Sequence, residues 1–526
     1  YMFLIRLHYN FTYACVKLSR ESHMRSGNQW IVNIMSEQYD TKGTIPRTMS
    51  TQHPDNVHTP FFTENIELTG EDEVKEAYYV YSHLGCTEQM WDCEGKEVDN
   101  YVVKKLLSRY GDYFQDHHLG RDLFLTLRVP NPEVERTEAK ILLETLGSIP
   151  RSFDIAHHFY GDQQAPIFEV ILPMTTSFAA IDNIYQYYCD FVIGQQHKRL
   201  GGRDLTIAEW IGPFHPDKIH VIPLFEDKDG MLAADSILRR YFQDKDLDYQ
   251  RVFLARSDPA VNYGQIGAVL LNKIALWRLH LLSEEAGIPI YPIIGAGSAP
   301  FRGNLRPDTV KRVTDEYAGA YTFTIQSAFK YDSNLEDAIQ AIRYLEEREV
   351  IPAKEIDEQY AIGLIDRYTA GYQKQIQSLA PLINRVAAYV PSRRKRKLHV
   401  GLFGYSRNMG GVSLPRAITV TAALYSVGIP PEILGLQALN EKDREFVFEN
   451  YKYILDDLND ACRYLNPDSS YLPEEVKKIL PEWIDIDPHP EHMNLSSRIE
   501  KAVTACQIDS VNDLIIRAGA IRKFLG

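Results

Sequence analysis

RVFLARSDPAVNYGQIGAVLLNKIALWRLHLLSEEAGIPIYPII, residues 251–294, reads as strand, helix, strand. The runs 251–256 (RVFLAR) and 289–294 (PIYPII) are short and largely apolar, while apolar side chains in 261–286 recur at helical spacing. A helix between two such strands carries the chain back across the sheet, so the strands lie parallel. Strands with no polar face are buried on both sides, as in a sheet covered by helices.

The same unit recurs on both sides of this stretch. Strands are predicted at 45–51, 88–93, 122–129, 167–173, 219–225, 321–326 and 398–404 as well, with helical patterns at 133–146, 334–348 and 352–378. The fold class is α/β, a (β/α)8 TIM-type barrel with additional helices. Nine candidate strands are one more than a closed barrel needs, so one is peripheral. From about 436 onward the chain reads helical. The chain has 526 residues, 44% of them hydrophobic, enough for a large core. We expect a single catalytic barrel domain over 35–526, with its helical part at about 436–526. The polar stretch opened by Met35 marks the expected start, and residues 1–34 are expected to be a non-native or mis-assigned leader.

A formal net charge of −14 argues against a nucleic-acid partner, which needs an excess of Lys and Arg. No apolar run reaches the length of a membrane span. Six cysteines without paired spacing fit a reduced, cytoplasmic setting. Cys86 and Cys93, near His83, have the wrong spacing for a zinc knuckle and are expected to be buried thiols. The basic run SRRKRK, 392–397, reads as a solvated loop.

Reactive residues fall at the C-terminal ends of the predicted strands, the face on which such barrels place their sites. His53 follows the first, Arg128 ends the third, and Glu226 and Asp258 follow neighbouring strands. Gly295–Gly303 and Arg407 complete the series. Glu226 and Asp258 could share one hard divalent cation, with water and substrate filling its octahedron; the plain alternative is two helix caps or surface acids. The loop GAGSAPFRGN, 295–304, contains Gly297, Ser298 and Arg302, and such a loop can cradle an anion or be an ordinary turn before a helix over 306–316. SRNMGGVSLPRAI, 406–418, holds Arg407 and Arg416, the latter expected in the first turn of a helix starting near Leu414 or Pro415. His53, held by Pro54 and the turn residues Asp55 and Asn56, is either an acid–base group or a structural histidine.

Seven motifs in this order resemble archaeal-type phosphoenolpyruvate carboxylase. They are MSTQHPDN (49–56), WDCEGKEVD (91–99), LTLRVPNP (125–132), VIPLFED (221–227), ARSDPAVNYG (255–264), GAGSAPFRGN (295–304) and GYSRNMGGVSLPRA (404–417). The resemblance implies that phosphoenolpyruvate and bicarbonate give oxaloacetate and phosphate, through carboxyphosphate and a metal-stabilised enolate. It implies His53 as the essential histidine and Glu226 and Asp258 as ligands of Mg²⁺ or Mn²⁺. It further implies Arg128, Arg302, Arg407 and Arg416 around the phosphoryl group, with Gly297 and Ser298 beside the substrate, and a cytoplasmic homotetramer. The chain departs from the larger carboxylases in several places: Ile294 and Ala296 stand where those have His and Arg, a loop Lys is replaced near Val261, and the C-terminal KFLG differs from the tail that helps bind inhibitory aspartate there. The missing phosphate contact is then left to Lys96 or Arg203, and the glycine-rich loop is a candidate lid. The rival readings are a metal-dependent aldolase or lyase of oxaloacetate-like acids, which needs no arginine cluster, and a non-catalytic barrel that senses phosphoenolpyruvate.

Overall fold

The first eight predicted strands pair in parallel, in chain order, and close on themselves. They are β1 (Thr48–Ser50), β2 (Glu88–Asp92), β3 (Phe124–Arg128), β4 (Glu169–Leu172), β5 (His220–Phe225), β6 (Gln250–Ala255), β7 (Ile290–Gly295) and β8 (Thr322–Ile325). Thr48 opposite Phe323 and Ser50 opposite Ile325 seal the ring. This is a computed structural model describing residues 45–93, 99–136, 139–202, 204–395, 407–409, 412–505 and 511–526, of which 46–526 form one compact unit. The candidate strand at 398–404 lies outside the described residues. Beyond it, β9 (Arg407–Met409) and β10 (Val412–Leu414) pair antiparallel as a separate hairpin.

Alternation along the strands sorts side chains to two cores. Val252 and Leu254 of β6 point outward to the large core shared with the helices, where Ile266, Leu270 and Ile274 also pack. Phe253 and Ala255 point inward, where they join Met49, Met90, Ile171, Ile222, Leu224 and Ile293 in a second, enclosed apolar cluster. Below it, at the N-terminal ends of the strands, lies a polar layer. Arg251 of β6 donates to Glu88 of β2 (2.8 and 2.7 Å) and to Glu169 of β4 (2.7 Å). Three even-numbered strands supply this layer, as barrel geometry requires of side chains at one level. The barrel is therefore a filled core, open only at its C-terminal mouth.

The helix predicted over 261–286 spans Ser257–Ala286, starting four residues earlier than its apolar pattern. It bends at Gly264, whose φ of +78° is in the left-handed region. A Cβ there would lie 2.7 Å from the Tyr368 ring, so glycine is required both by conformation and by close approach. The bend sets the first turn, which carries Asp258, apart from the long helix that packs on the barrel. Among the described residues this is the one helix long and apolar enough to cross a membrane, but 67% of its apolar window is buried in the core.

Other boundaries shift where capping outweighs periodicity. The helix expected from 352 begins at Glu358, because the Asp357 side chain accepts the Tyr360 N–H (3.0 Å). The helix expected over 133–146 is Ala139–Gly147; the amides of Val134 and Glu135 turn back on the Asn131 carbonyl instead. Past 436 the described chain is helical, from Glu441–Asn450 to Val511–Arg522. Cys86, Cys93 and Cys462 are buried free thiols.

Candidate active site

Strand pairing sets Glu226 and Asp258 side by side. Phe225 of β5 faces Leu254 of β6, and the two acids follow those strands by one and three residues. Asp227 caps the helix Lys228–Tyr241 by accepting the Gly230 N–H (2.7 Å), which ends β5 at the residue before Glu226 and fixes where its side chain emerges. Met174, held at φ +49°, donates its N–H to Glu226 Oε2 (2.7 Å). The Asn131 side chain in turn donates to the carbonyls of Pro173 and Met174 (2.8 and 3.1 Å), so the turn after β3 supports the acid after β5. A left-handed non-glycine residue bonded to a cavity carboxylate is local strain, of the kind that clusters at functional sites. Asp258 lies in the first turn of Ser257–Ala286, where the positive end of the helix dipole favours its charge.

Both acids line a cavity of ≈ 420 Å³ at the mouth of the barrel. Its floor is the top of the enclosed apolar cluster, Met90, Leu224, Phe253 and Ala255. His53, Arg128, Arg302 and Arg416 line it too. Among the described residues no group of three or more His, Cys, Asp and Glu could hold a metal. Two carboxylates without a nitrogen or sulfur ligand fit a hard cation that keeps most of its positions for water and substrate.

Arg128 and Arg416 line the same cavity, and the charge of the one is felt at the other. Arg128 Nη1 donates to Asp92 (3.3 Å), whose own N–H is bonded to Gln52 Oε1 (3.0 Å). Arg416 is the N-cap of the helix Ala417–Ser426, one place before the expected first turn. Its side chain is accessible from the cavity yet enclosed by protein. That desolvation, reinforced by the Arg128 charge, lowers its pKa below the usual arginine value, against the opposing pull of Asp92, Glu135 and Glu226. Two like charges held together in a cavity favour an anion between them.

The glycine-rich loop departs from its expected role. Arg302 is buried and spends four of its five N–H donors within the protein: on Ser257 Oγ (3.1 Å), Asp55 (3.1 Å), the Gly526 carbonyl (2.6 Å) and Gln326. It forms part of the wall and has at most one donor for a substrate. Gly297 and Ser298 are not among the lining residues. A Cβ on Gly297 would lie 2.8 Å from the Arg302 guanidinium carbon, so this glycine makes room for the arginine, and the Ser298 hydroxyl donates to the Leu305 carbonyl (3.3 Å). Arg256 also holds the loop, through the Phe301 carbonyl (3.1 Å). A loop so buried and cross-bonded is a fixed wall rather than a lid. Arg407 belongs to β9, and its side chain lies outside the described residues, as do Lys96 and Arg203.

Three cavity residues, Ser392, Arg393 and Arg394, come from the run read as solvated. Arg393 and Arg394 are buried and line the mouth. Arg393 donates to the carbonyls of Asn56 (3.1 Å) and Val57, and Arg394 pairs with Glu73 (3.3 Å) and Glu76 (2.6 Å). The signal that could have exposed them is the distant Glu73 and Glu76, which only the fold brings near.

The family model described as phosphoenolpyruvate carboxylase matches residues 45–526. The phosphoenolpyruvate carboxylase of Methanospirillum hungatei JF-1 is 89% identical over 482 residues, covering 92% of this chain and 100% of that relative. That of Methanothermobacter thermautotrophicus is 58% identical over the same length and coverage. That of Halobacterium salinarum R1 is 50% identical over 491 residues, 92% of this chain and 99% of the relative. With the barrel closed and the motif residues gathered at its mouth, the chain belongs to the phosphoenolpyruvate carboxylase family.

Proposed function

We propose that this enzyme carboxylates phosphoenolpyruvate with bicarbonate, giving oxaloacetate and inorganic phosphate. The observation that carries the reading is the pairing of Arg128 and Arg416 in the cavity that also holds Glu226, Asp258 and His53. An aldolase of oxaloacetate-like acids has no phosphoryl group to hold, and the paired arginines speak against it.

Arg128 and Arg416 hold the phosphoryl oxygens by charge-assisted hydrogen bonds while a bicarbonate oxygen attacks phosphorus and the bond to the enol oxygen breaks. Glu226 and Asp258 hold the divalent cation, Mg²⁺ or Mn²⁺, which when bound supplies Lewis-acid stabilisation of negative charge on the substrate. His53 accepts the carboxyphosphate proton on the ring nitrogen that Thr51 does not hold and returns it to the phosphate as CO2 is released. The three-carbon fragment then bonds to CO2. Met90, Leu224 and Phe253 keep the reacting end away from water, which would protonate that fragment to pyruvate. The family reading also carries a homotetramer in the cytoplasm, which sedimentation of the purified protein tests for its subunit number.

A coupled assay for oxaloacetate, run with and without bicarbonate while pyruvate and phosphate are followed, tests the function. Oxaloacetate and phosphate should appear in equal amounts and only with bicarbonate. Turnover that ignores bicarbonate overturns the reading.

A further inference from the structure

His53 sits on a short segment that several elements hold in place. Thr51 directly follows β1, its N–H bonded to the Ile325 carbonyl of β8 (3.0 Å). Its hydroxyl meets His53 Nδ1 at 2.8 Å. The Thr51 carbonyl accepts from Lys330 Nζ (3.0 Å), which also donates to Ser50 Oγ (3.0 Å) and to Glu76 (2.8 Å). Lys330 thus uses all three ammonium N–H bonds without reaching solvent. Glu76 additionally accepts from Tyr331 (2.6 Å) and from Arg394 (2.6 Å), which lines the cavity.

A fully buried lysine is costly to desolvate, and a methionine would pack the same space without that cost. What the ammonium adds is a fixed carbonyl two residues before the histidine. We propose that Thr51 is the positioning residue of His53: it holds Nδ1 so that Nε2 handles the proton, and Lys330 holds Thr51 in turn. This rests on the assignment of His53 as the base. A hydroxyl suits the task because it accepts the Nδ1 proton of both the neutral ring and the imidazolium, so the ring keeps one orientation before and after the transfer. The bland alternative is that Thr51 only anchors the chain after β1, a role its backbone bonds fulfil without the side chain.

The test uses Thr51→Val, Thr51→Ser and Lys330→Met in the full chain, with folding checked by circular dichroism. Histidine-selective ¹⁵N spectra, with the His53 signal assigned by its loss in His53→Asn, report the tautomer without any turnover. The wild type should hold the Nδ1–H form, Thr51→Val should shift toward Nε2–H, and Thr51→Ser should restore the wild-type signal. In the assay, Thr51→Val should lower oxaloacetate formation roughly 10- to 100-fold, at the lower end of what a positioned base supplies. Its KM for phosphoenolpyruvate should stay within about twofold, and the share released as pyruvate should rise. Lys330→Met should change the same two readouts in the same direction, by less. A folded Thr51→Val protein with the wild-type His53 signal or the wild-type product ratio overturns the proposal. A wild type that makes no oxaloacetate overturns the functional reading instead, and the spectra still decide whether Thr51 sets the His53 ring.

Discussion

The barrel holds arginine at both ends, in opposite company: buried at the floor, and lining an open cavity at the mouth. At the floor, Arg251 lies between Glu88 and Glu169, with Tyr249 donating to Glu169 (2.8 Å) and Thr126 to Glu88; only its Nε has no partner among the described residues. At the mouth, Arg128 and Arg416 line the same cavity. Charge at the floor is matched from within, so nothing from outside improves it. Charge at the mouth lies among acids too, Asp92 beside Arg128 among them, but it faces a cavity that an anion can enter. What separates the two ends is access from outside, and the same residue type serves structure at one end and is proposed to serve binding at the other.

The comparison can be broken at either end. Arg251→Met leaves two carboxylates facing each other in the sealed floor and should cost about 3–5 kcal/mol of stability, read by denaturant unfolding. The triple change Arg251→Met, Glu88→Gln, Glu169→Gln should recover most of that loss, since no unpaired charge remains. If the single variant is as stable as the wild type, the floor is not a closed ion triad.

At the mouth, the acids should show the reverse profile. Asp258→Asn should keep wild-type stability but lose several kcal/mol of transition-state stabilisation, roughly a thousandfold in turnover. A chelator should abolish wild-type activity, and Mg²⁺ or Mn²⁺ should restore it. Near-wild-type rates for both Asp258→Asn and Glu226→Gln at low Mg²⁺ would remove the proposed metal site.

Arg416→Ala should be milder. It should raise KM and lower turnover together, by roughly 10- to 100-fold in kcat/KM, the range of one charged hydrogen bond. Its stability should change by no more than about 1 kcal/mol, because the lost repulsion from Arg128 offsets part of the lost attraction to Asp92, Glu135 and Glu226. A large destabilisation would place Arg416 with the structural arginines.

The smallest effect concerns an acid with no cation at all. Glu432 is buried with the Tyr425 hydroxyl on Oε1 (2.6 Å), and burial outweighs this bond and its backbone bonds and pushes its pKa up to about 8. Folding then favours the protonated acid. Its contribution is fully present below the unfolded value of 4.5 and is lost as pH rises toward 8. Between pH 6 and 7 this amounts to about 1 kcal/mol. Glu432→Gln should lack that slope, so its advantage over the wild type in denaturant should grow from pH 5 to pH 8.

The sequence made the barrel legible because β2 to β8 each carry an apolar run that ends at turn residues, and the extra candidate at 398–404 could not be separated from them by composition. The place of His53, Glu226 and Asp258 at the barrel mouth was legible for a related reason: each follows a strand end within three residues. The internal partners of Arg302 were not legible, because local spacing cannot show that Asp55 waits for it. Arg393 and Arg394 were misread because a basic run looks solvated until Glu73 and Glu76 are brought against it. The polar floor was invisible from sequence, since Glu88, Glu169 and Arg251 lie on three separate strands. Periodicity reports which face is apolar, not which charges will meet.

The clamp on the His53 segment also bears on how the enzyme is made. Arg393 reaches the Val57 carbonyl across 336 positions of chain, and β1 closes the ring only against β8. A nascent chain that has just released the HPDN segment from the ribosome has nothing to fix it. The segment must wait while seven further strands and the helix Glu358–Ala387 are synthesised. During that interval β1 is an unpaired edge, the kind of surface on which aggregation starts and which chaperones shield. Activity should therefore emerge as a single late event in translation, with no partly active intermediate before residue 394 has left the exit tunnel.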